Sequence, residues 1–266
     1  MSTNTQAPQF HDMLSHSQVE SYHDQGFINV PGVLSREEIE EQLTEGKKLL
    51  KHERTQPWEW NDGLAMDWVP DAGLRSEVMS KLVHHPKITA IAERLAGHPL
   101  RLFKSELFRK PAGEASSDTP VHYDEPSHPV SGRPITITAW VALVDVPVEC
   151  GCMTFIPGSQ NVVSPSEEDD GMYPLEHWPH LNYWPRVTHP MRAGDVHFHH
   201  GRVVHWAGEN STDITRISLA TVYIDADAVY RPNFVYSELF PEDNLGGLEP
   251  GDPVRGERFP LAKLEG

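Results

Sequence analysis

The chain has 266 residues, 22 Lys and Arg against 39 Asp and Glu, a formal net charge of −17, and 16 histidines. That length allows a substantial core in one large domain or two small ones. The negative charge opposes nucleic-acid binding, which needs clustered cations, and no apolar run is long enough to suggest a membrane span.

Met1-Ser2-Thr3-Asn4-Thr5-Gln6 lacks the charged-then-apolar layout of a secretory signal. Residues 1–16 read as a flexible tail and 17–266 as one domain. Ser17 to Gln25 predicts a short helix stopped by Gly26, followed by a strand over Phe27-Ile28-Asn29-Val30 and a Pro31-Gly32 turn. Ser35 and Glu38 form a capping box that opens a helix carrying Ile39, Leu43, Leu49 and Leu50. Pro86 suits the first turn of a further helix ended by Gly97, so the part up to about residue 98 reads as largely helical. Trp58, Trp60 and Trp68 make it locally rich in aromatics.

From Leu100 the texture changes. Leu100–Arg109, Ile135–Val146, Met153–Ile156, Asp195–Phe198 and Arg216–Ile224 are short apolar runs separated by Pro, Gly, Ser and Asn. This is the pattern of antiparallel strands in a sandwich or barrel, placed at about 100–225 and followed by a C-terminal extension. Cys150 and Cys152 stand too close for an ordinary disulfide, and a reducing, cytoplasmic setting is the expectation. Asn161 to Pro190 reads as a long connection, acidic at Glu167-Glu168-Asp169-Asp170 and aromatic at Tyr173, Trp178, Tyr183 and Trp184. Loops of this length are often lids or binding loops, and both aromatic segments are placed around a pocket mouth.

His122-Tyr123-Asp124 and the distant His205 supply two imidazoles and one carboxylate. Such a set holds a non-haem Fe(II) on one face and leaves the other open. In an extended segment, alternation sends His122 and Asp124 to the same side. His197, His199 and His200 also lie on a strand-like run, and each competes with His205 as third ligand. His128 reads as a solvated loop residue. Arg216, with its planar and permanent charge, suits a carboxylate partner or else a structural ion pair. Trp140 is either a pocket or a core aromatic.

Beyond the ligand set, several ordered motifs stand at compatible gaps. They are Trp140-Val141-Ala142-Leu143-Val144-Asp145, Gly151, Pro157-Gly158-Ser159, Gly194-Asp195, Asn210-Ser211-Thr212 and Arg216, eleven residues past His205. With Phe27 to Leu34 they make most of the chain resemble the phytanoyl-CoA dioxygenase family of Fe(II)/2-oxoglutarate oxygenases. The resemblance implies a mainly β chain with flanking helices and a double-stranded β-helix (jelly-roll) core. It implies iron on His122, Asp124 and His205, with His199 left as a core residue or a support for a ligand. It assigns Arg216 to the distal carboxylate of 2-oxoglutarate and Trp140 to packing beside that co-substrate. Thr138, on the same strand face as Trp140, is a candidate hydroxyl donor to it. Cys150 departs from the Asn usual in the family. Trp206-Ala207 departs from a small residue followed by a hydroxyl residue, which leaves a second contact to the co-substrate carboxylate in doubt and makes Trp206 a pocket-shaping candidate. Asp124 itself argues against halogenation, since related halogenases have Ala or Gly there.

The function this implies is O2-dependent oxidation of a C–H bond, with Fe(II), 2-oxoglutarate and O2 as cofactors and co-substrates. The substrate is expected to be a bulky, partly apolar small molecule of secondary metabolism. Hydroxylation is the first expectation, and epimerisation, ring closure or desaturation are alternatives. No acid–base residue is nominated. A non-catalytic jelly-roll binding module, or a zinc or cupin-type enzyme without 2-oxoglutarate, are readings from other classes.

Overall fold

The computed structural model describes residues 13–131, 136–164, 169–239 and 245–263. Its first part runs α1 (His16–Gln25), β1 (Phe27–Val30), α2 (Arg36–His52), β2 (Gln56–Trp60), β3 (Gly63–Val69), α3 (Ala72–Arg75), α4 (Glu77–Val83) and α5 (Pro86–Ala96). The strand-rich part follows with β4 (Leu100–Lys110), β5 (Thr119–His122), β6 (Val130–Ser131), β7 (Ile137–Ala142), β8 (Met153–Phe155), α6 (Pro174–His177) and β9 (Val187–His189). It ends with β10 (Val196–His200), β11 (His205–Ala207), β12 (Arg216–Asp225), β13 (Val229–Tyr230) and α7 (Phe234–Leu239).

Seven strands form one antiparallel sheet in the order β1-β10-β7-β12-β4-β3-β2, and four form a second in the order β5-β11-β8-β9. The two face each other as a jelly roll. Period-two alternation sorts the larger sheet into two faces. Ile137, Ala139 and Val141 of β7 join Leu219 and Phe198 in a cluster with Leu49, Met79, Leu82, Ile88 and Ile91 of the helices. Trp140 and Ala142 turn the other way and pack with Met153, Phe155 and Ala207 of the smaller sheet. Strands covered on both faces must be apolar almost throughout, which is why β7 is buried at every position and Thr138 is its one polar residue. Each fully buried Leu or Ile contributes roughly 1.5–3 kcal/mol. No helix among the described residues is long and apolar enough to cross a membrane.

The expected helix starts are present. Ser35 and Glu38 form a reciprocal capping box on α2, while Pro86 opens α5 and Gly97 closes it in the left-handed region. Three expectations change. Helix α1 opens at His16, earlier than read, because Ser15 caps it with Gln18 as the reciprocal partner. Leu14 is only 3% exposed, so the chain is anchored before residue 17; residues 1–12 lie outside the described residues. The part up to residue 98 is less helical than expected, since β1, β2 and β3 belong to the large sheet. The β2–β3 hairpin turns on Asn61 and Asp62, both at positive φ (49° and 61°), which matches the twist of the flanking strands. The connection from Asn161 to Pro190 holds α6 and β9. Glu167 and Glu168 of its acidic run lie outside the described residues. Cys150 and Cys152 are buried free thiols.

Candidate metal and co-substrate site

β5 and β11 are antiparallel neighbours with His122 directly opposite His205, their ring centroids 4.2 Å apart. The strand ends at His122. Asp124 sits beyond it with φ −82° and ψ −30°, opening the 3-10 turn Glu125–Ser127. Its carboxylate thus reaches His122 through a turn of the chain rather than by strand alternation. Asp124 Oδ1 lies 3.6 Å from Nε2 of both His122 and His205. One ligand atom from each of the three residues falls within 4.8 Å of the others.

The imidazoles are oriented by the backbone. Nδ1 of His122 donates to the Pro120 carbonyl at 2.8 Å, and Nδ1 of His205 to the Val203 carbonyl at 3.0 Å. A carbonyl oxygen only accepts, so each ring carries its proton on Nδ1 and presents an Nε2 lone pair to the centre. Burial, reinforced by the facing His122, pushes His205 down to about 3, and burial lowers His122 as well. Burial alone would raise Asp124, but the surrounding His205, His199 and His122 outweigh it and hold the carboxyl well below the usual carboxylate range. Two neutral imidazoles and an ionised carboxylate are the protonation states a divalent metal requires. The donor set therefore fits iron.

Among the described residues the competing histidines stand outside the group of three whose ligand atoms lie within 4.8 Å of one another, although His199 lines the same cavity. His199 Nε2 lies 3.1 Å from Asp124 Oδ2, whereas Oδ1 is the oxygen 3.6 Å from His122 and His205. His197 stacks on Phe155 at 4.5 Å, with neither ring nitrogen hydrogen-bonded among the described residues. His200 Nδ1 accepts from the Arg202 backbone N–H. His128 is not a solvated loop residue: it is buried, with Nδ1 3.0 Å from Thr136 Oγ1 and its ring edge against Phe103. The Glu125–Ser127 turn folds that loop back onto the sheet.

A cavity of about 440 Å³ opens on the three residues and is also lined by Arg216, Trp140 and Thr138. Arg216 opens β12 and is 3% exposed. One guanidinium nitrogen donates to the Gly151 carbonyl, Nε has no hydrogen-bond partner among the described residues, and the group lies 5.5 Å from the Trp140 ring centroid. Burial lowers Arg216 to about 10, so it stays charged at neutral pH. No carboxylate among the described residues pairs with it, which removes the structural ion-pair alternative. A buried cation with an unmet donor fits a ligand carboxylate such as that of 2-oxoglutarate. The turn that presents this carbonyl requires glycine: at φ +72° a Cβ at position 151 would lie 2.5 Å from the Gly208 carbonyl oxygen. The Thr138 hydroxyl donates to Asp124 Oδ2 at 3.3 Å.

Trp58, Trp68 and Trp206 line the cavity, and Trp60 meets Tyr173 with ring centroids 6.3 Å apart. Trp178 and Trp184 instead pack in a satellite cluster around Tyr123 and Leu181, and Tyr183 is 90% exposed. Among the described residues of the 161–190 connection, Asp170 and Met172 reach the lining. Sequence reading missed Lys104, Glu106 and Phe108, which line the wall from alternate positions of β4. The signal was available as Lys104 and Glu106, two charged residues two apart, between the apolar pairs Leu102-Phe103 and Leu107-Phe108 of the strand.

The family model for phytanoyl-CoA dioxygenase (PhyH) matches residues 22–218. Phytanoyl-CoA dioxygenase domain-containing protein 1 of Rattus norvegicus is 30% identical over 151 residues, which is 52% of this chain and 50% of that protein. The chain thus spans about half the length of that relative. Among solved structures, the epimerase SnoN in complex with Fe3+, alpha ketoglutarate and nogalamycin RO is 45% identical with a TM-score of 0.87, covering 93% of this chain and 98% of that one. The alpha ketoglutarate dependent carbocyclase SnoK from nogalamycin biosynthesis is 38% identical with a TM-score of 0.86, covering 96% and 99%. The metal-ready triad, the charged Arg216 and a family match over most of its length together show that this chain belongs to the phytanoyl-CoA dioxygenase family.

Proposed function

We propose that this chain is an iron(II)- and 2-oxoglutarate-dependent enzyme that takes hydrogen from a C–H bond of a bulky, partly apolar small molecule. The observation that carries this reading is the opening of His122, Asp124, His205 and Arg216 onto one cavity. Iron and 2-oxoglutarate, when bound, supply the O2-dependent oxidising power. His122, Asp124 and His205 hold the metal through two Nε2 atoms and a carboxylate oxygen. Arg216 takes the distal carboxylate of the co-substrate, and Trp140 packs alongside it. Ala207 brings no hydroxyl to this wall, which leaves Arg216 the main polar contact. Trp58, Trp68, Met66 and Phe108 present apolar surface to the substrate and keep water from the reacting bond.

The likeness to SnoN and SnoK favours epimerisation or ring closure over hydroxylation, on a natural-product intermediate. The test is anaerobic loading with Fe(II) and 2-oxoglutarate, followed by O2, with ascorbate present as the two-electron reductant that a redox-neutral epimerisation requires, and with and without nogalamycin RO as the first probe. Succinate release is expected, together with a product of unchanged mass for epimerisation or two mass units lighter for ring closure. A gain of one oxygen would restore hydroxylation. No succinate under any condition, or a His205→Ala variant that binds Fe(II) like the wild type, would overturn the whole reading.

A further inference from the structure

The two oxygens of Asp124 have different surroundings. Oδ1 stands 3.6 Å from Nε2 of both His122 and His205. Oδ2 has other partners, with His199 Nε2 at 3.1 Å and the Thr138 hydroxyl at 3.3 Å. An ionised carboxylate only accepts, so the proton between His199 and Asp124 sits on His199 Nε2. His199 therefore has its proton on the nitrogen that His122 and His205 leave bare. One histidine cluster holds two rings set to bind a metal and one set to donate.

His199 and Thr138 are cross-strand partners on β10 and β7 of the large sheet, whereas Asp124 follows β5 of the small one. The donors are thus fixed on one sheet and the acceptor arrives from the other. The ring of His199 is held by packing, with centroids 4.9 Å from His205 and 5.8 Å from Phe155. Its Nδ1 has no hydrogen-bond partner among the described residues, so Asp124 is the polar contact that this buried side chain makes.

We infer that His199 and Thr138 are positioning residues that engage Oδ2 of Asp124 and leave only Oδ1 for the metal, making Asp124 a one-oxygen ligand. This rests on the proposed iron site. A carboxylate free to rotate can offer both oxygens and occupy two coordination positions. With Oδ2 engaged it occupies one, and the open face keeps the positions that a chelating 2-oxo acid and O2 need. Outer partners of this kind typically set metal affinity by about 10–100-fold.

The test compares His199→Leu, His199→Gln and Thr138→Val by anaerobic Fe(II) titration, by the absorption spectrum of the Co(II)-loaded protein and by apo-protein melting. His199→Leu is expected to weaken Fe(II) and Co(II) binding by about 10–100-fold and to alter the Co(II) spectrum. His199→Gln, whose amide N–H stands near the lost Nε2–H, should recover most of that affinity, and Thr138→Val should show a smaller loss. Wild-type affinity in His199→Leu, or no recovery in His199→Gln, overturns the inference. If the leucine variant fails to fold, nitrogen NMR of 15N-histidine in the wild type decides: a proton on Nε2 of His199 supports it, and one on Nδ1 alone sinks it. A His205→Ala variant in the same series separates the two readings, since its retention of metal would remove the iron site itself.

Discussion

Arg216 keeps its charge inside an apolar wall with one donor on the Gly151 carbonyl and Nε unmet. Replacing it by Met should raise the KM for 2-oxoglutarate by roughly 10–100-fold, the worth of a charged hydrogen bond of about 1.5–3 kcal/mol. Fe(II) affinity without co-substrate should hardly change, and parallel Fe(II) and 2-oxoglutarate titrations check both. Glu106 on the same cavity is pushed up to about 7 by burial, with Lys104 opposing and Asp71 and Asp124 adding to the rise. The folded protein keeps that proton up to about pH 7, whereas the unfolded chain releases it near 4.5. Folded protein binds the extra proton in that window, so its contribution to stability falls as pH rises through it, at most about 1.4 kcal/mol per pH unit. Denaturant titrations between pH 4.5 and 8 should show this slope in the wild type and not in Glu106→Gln; parallel curves would remove Glu106 as the cause. At this scale the candidates that meet in one cavity, His122, Asp124, His205 and Arg216, were legible, because few side chains suit a metal or a carboxylate. The Asp124 oxygen that faces His199 was not, because neither partner is near the other in sequence.

Helices announced themselves through local chemistry. Ser35 with Glu38, Pro86 and Gly97 all act within one turn of the backbone, and the structure uses each as read. Ser35→Ala should therefore cost about 1 kcal/mol in chemical denaturation and leave turnover unchanged, since α2 lies on the outer face of the large sheet. The β2–β3 hairpin was equally local, with Asn61-Asp62-Gly63 as its turn, but the tryptophans around it drew the reading toward a pocket mouth. Both descriptions hold for Trp58, whose strand forms the sheet edge and whose ring meets His122 with centroids 5.2 Å apart. The strands β5, β9 and β11 are three or four residues long, too short for periodicity to reveal. Two of them, β5 and β11, carry His122 and His205, the candidate metal-binding histidines.

Across the whole molecule, the metal site is a product of folding. His122 and His205 meet only when β5 pairs with β11, and Asp124 completes the set by the turn after β5. A metal that binds this arrangement and not the unfolded chain must stabilise the fold. Co(II) at a hundredfold excess over its dissociation constant should add about 2.7 kcal/mol and raise the melting temperature by several degrees. The His205→Ala variant should show no such rise; an equal rise there would place the metal elsewhere.

The sequence by itself determined the fold class, the helix ends and the kinds of side chain that serve a metal and a carboxylate, because caps, turns and alternating strands are short-range physics. It carried the choice of His205 through motif order rather than through any local property of that residue. Only the tertiary structure decided which nitrogen of each histidine is free, which oxygen of Asp124 faces the centre, that Thr138 serves Asp124, and that Lys104 and Glu106 share the cavity wall. These depend on strands distant in the chain becoming neighbours. Alternation tells which side of a strand a residue takes, and only sheet pairing tells what it meets there.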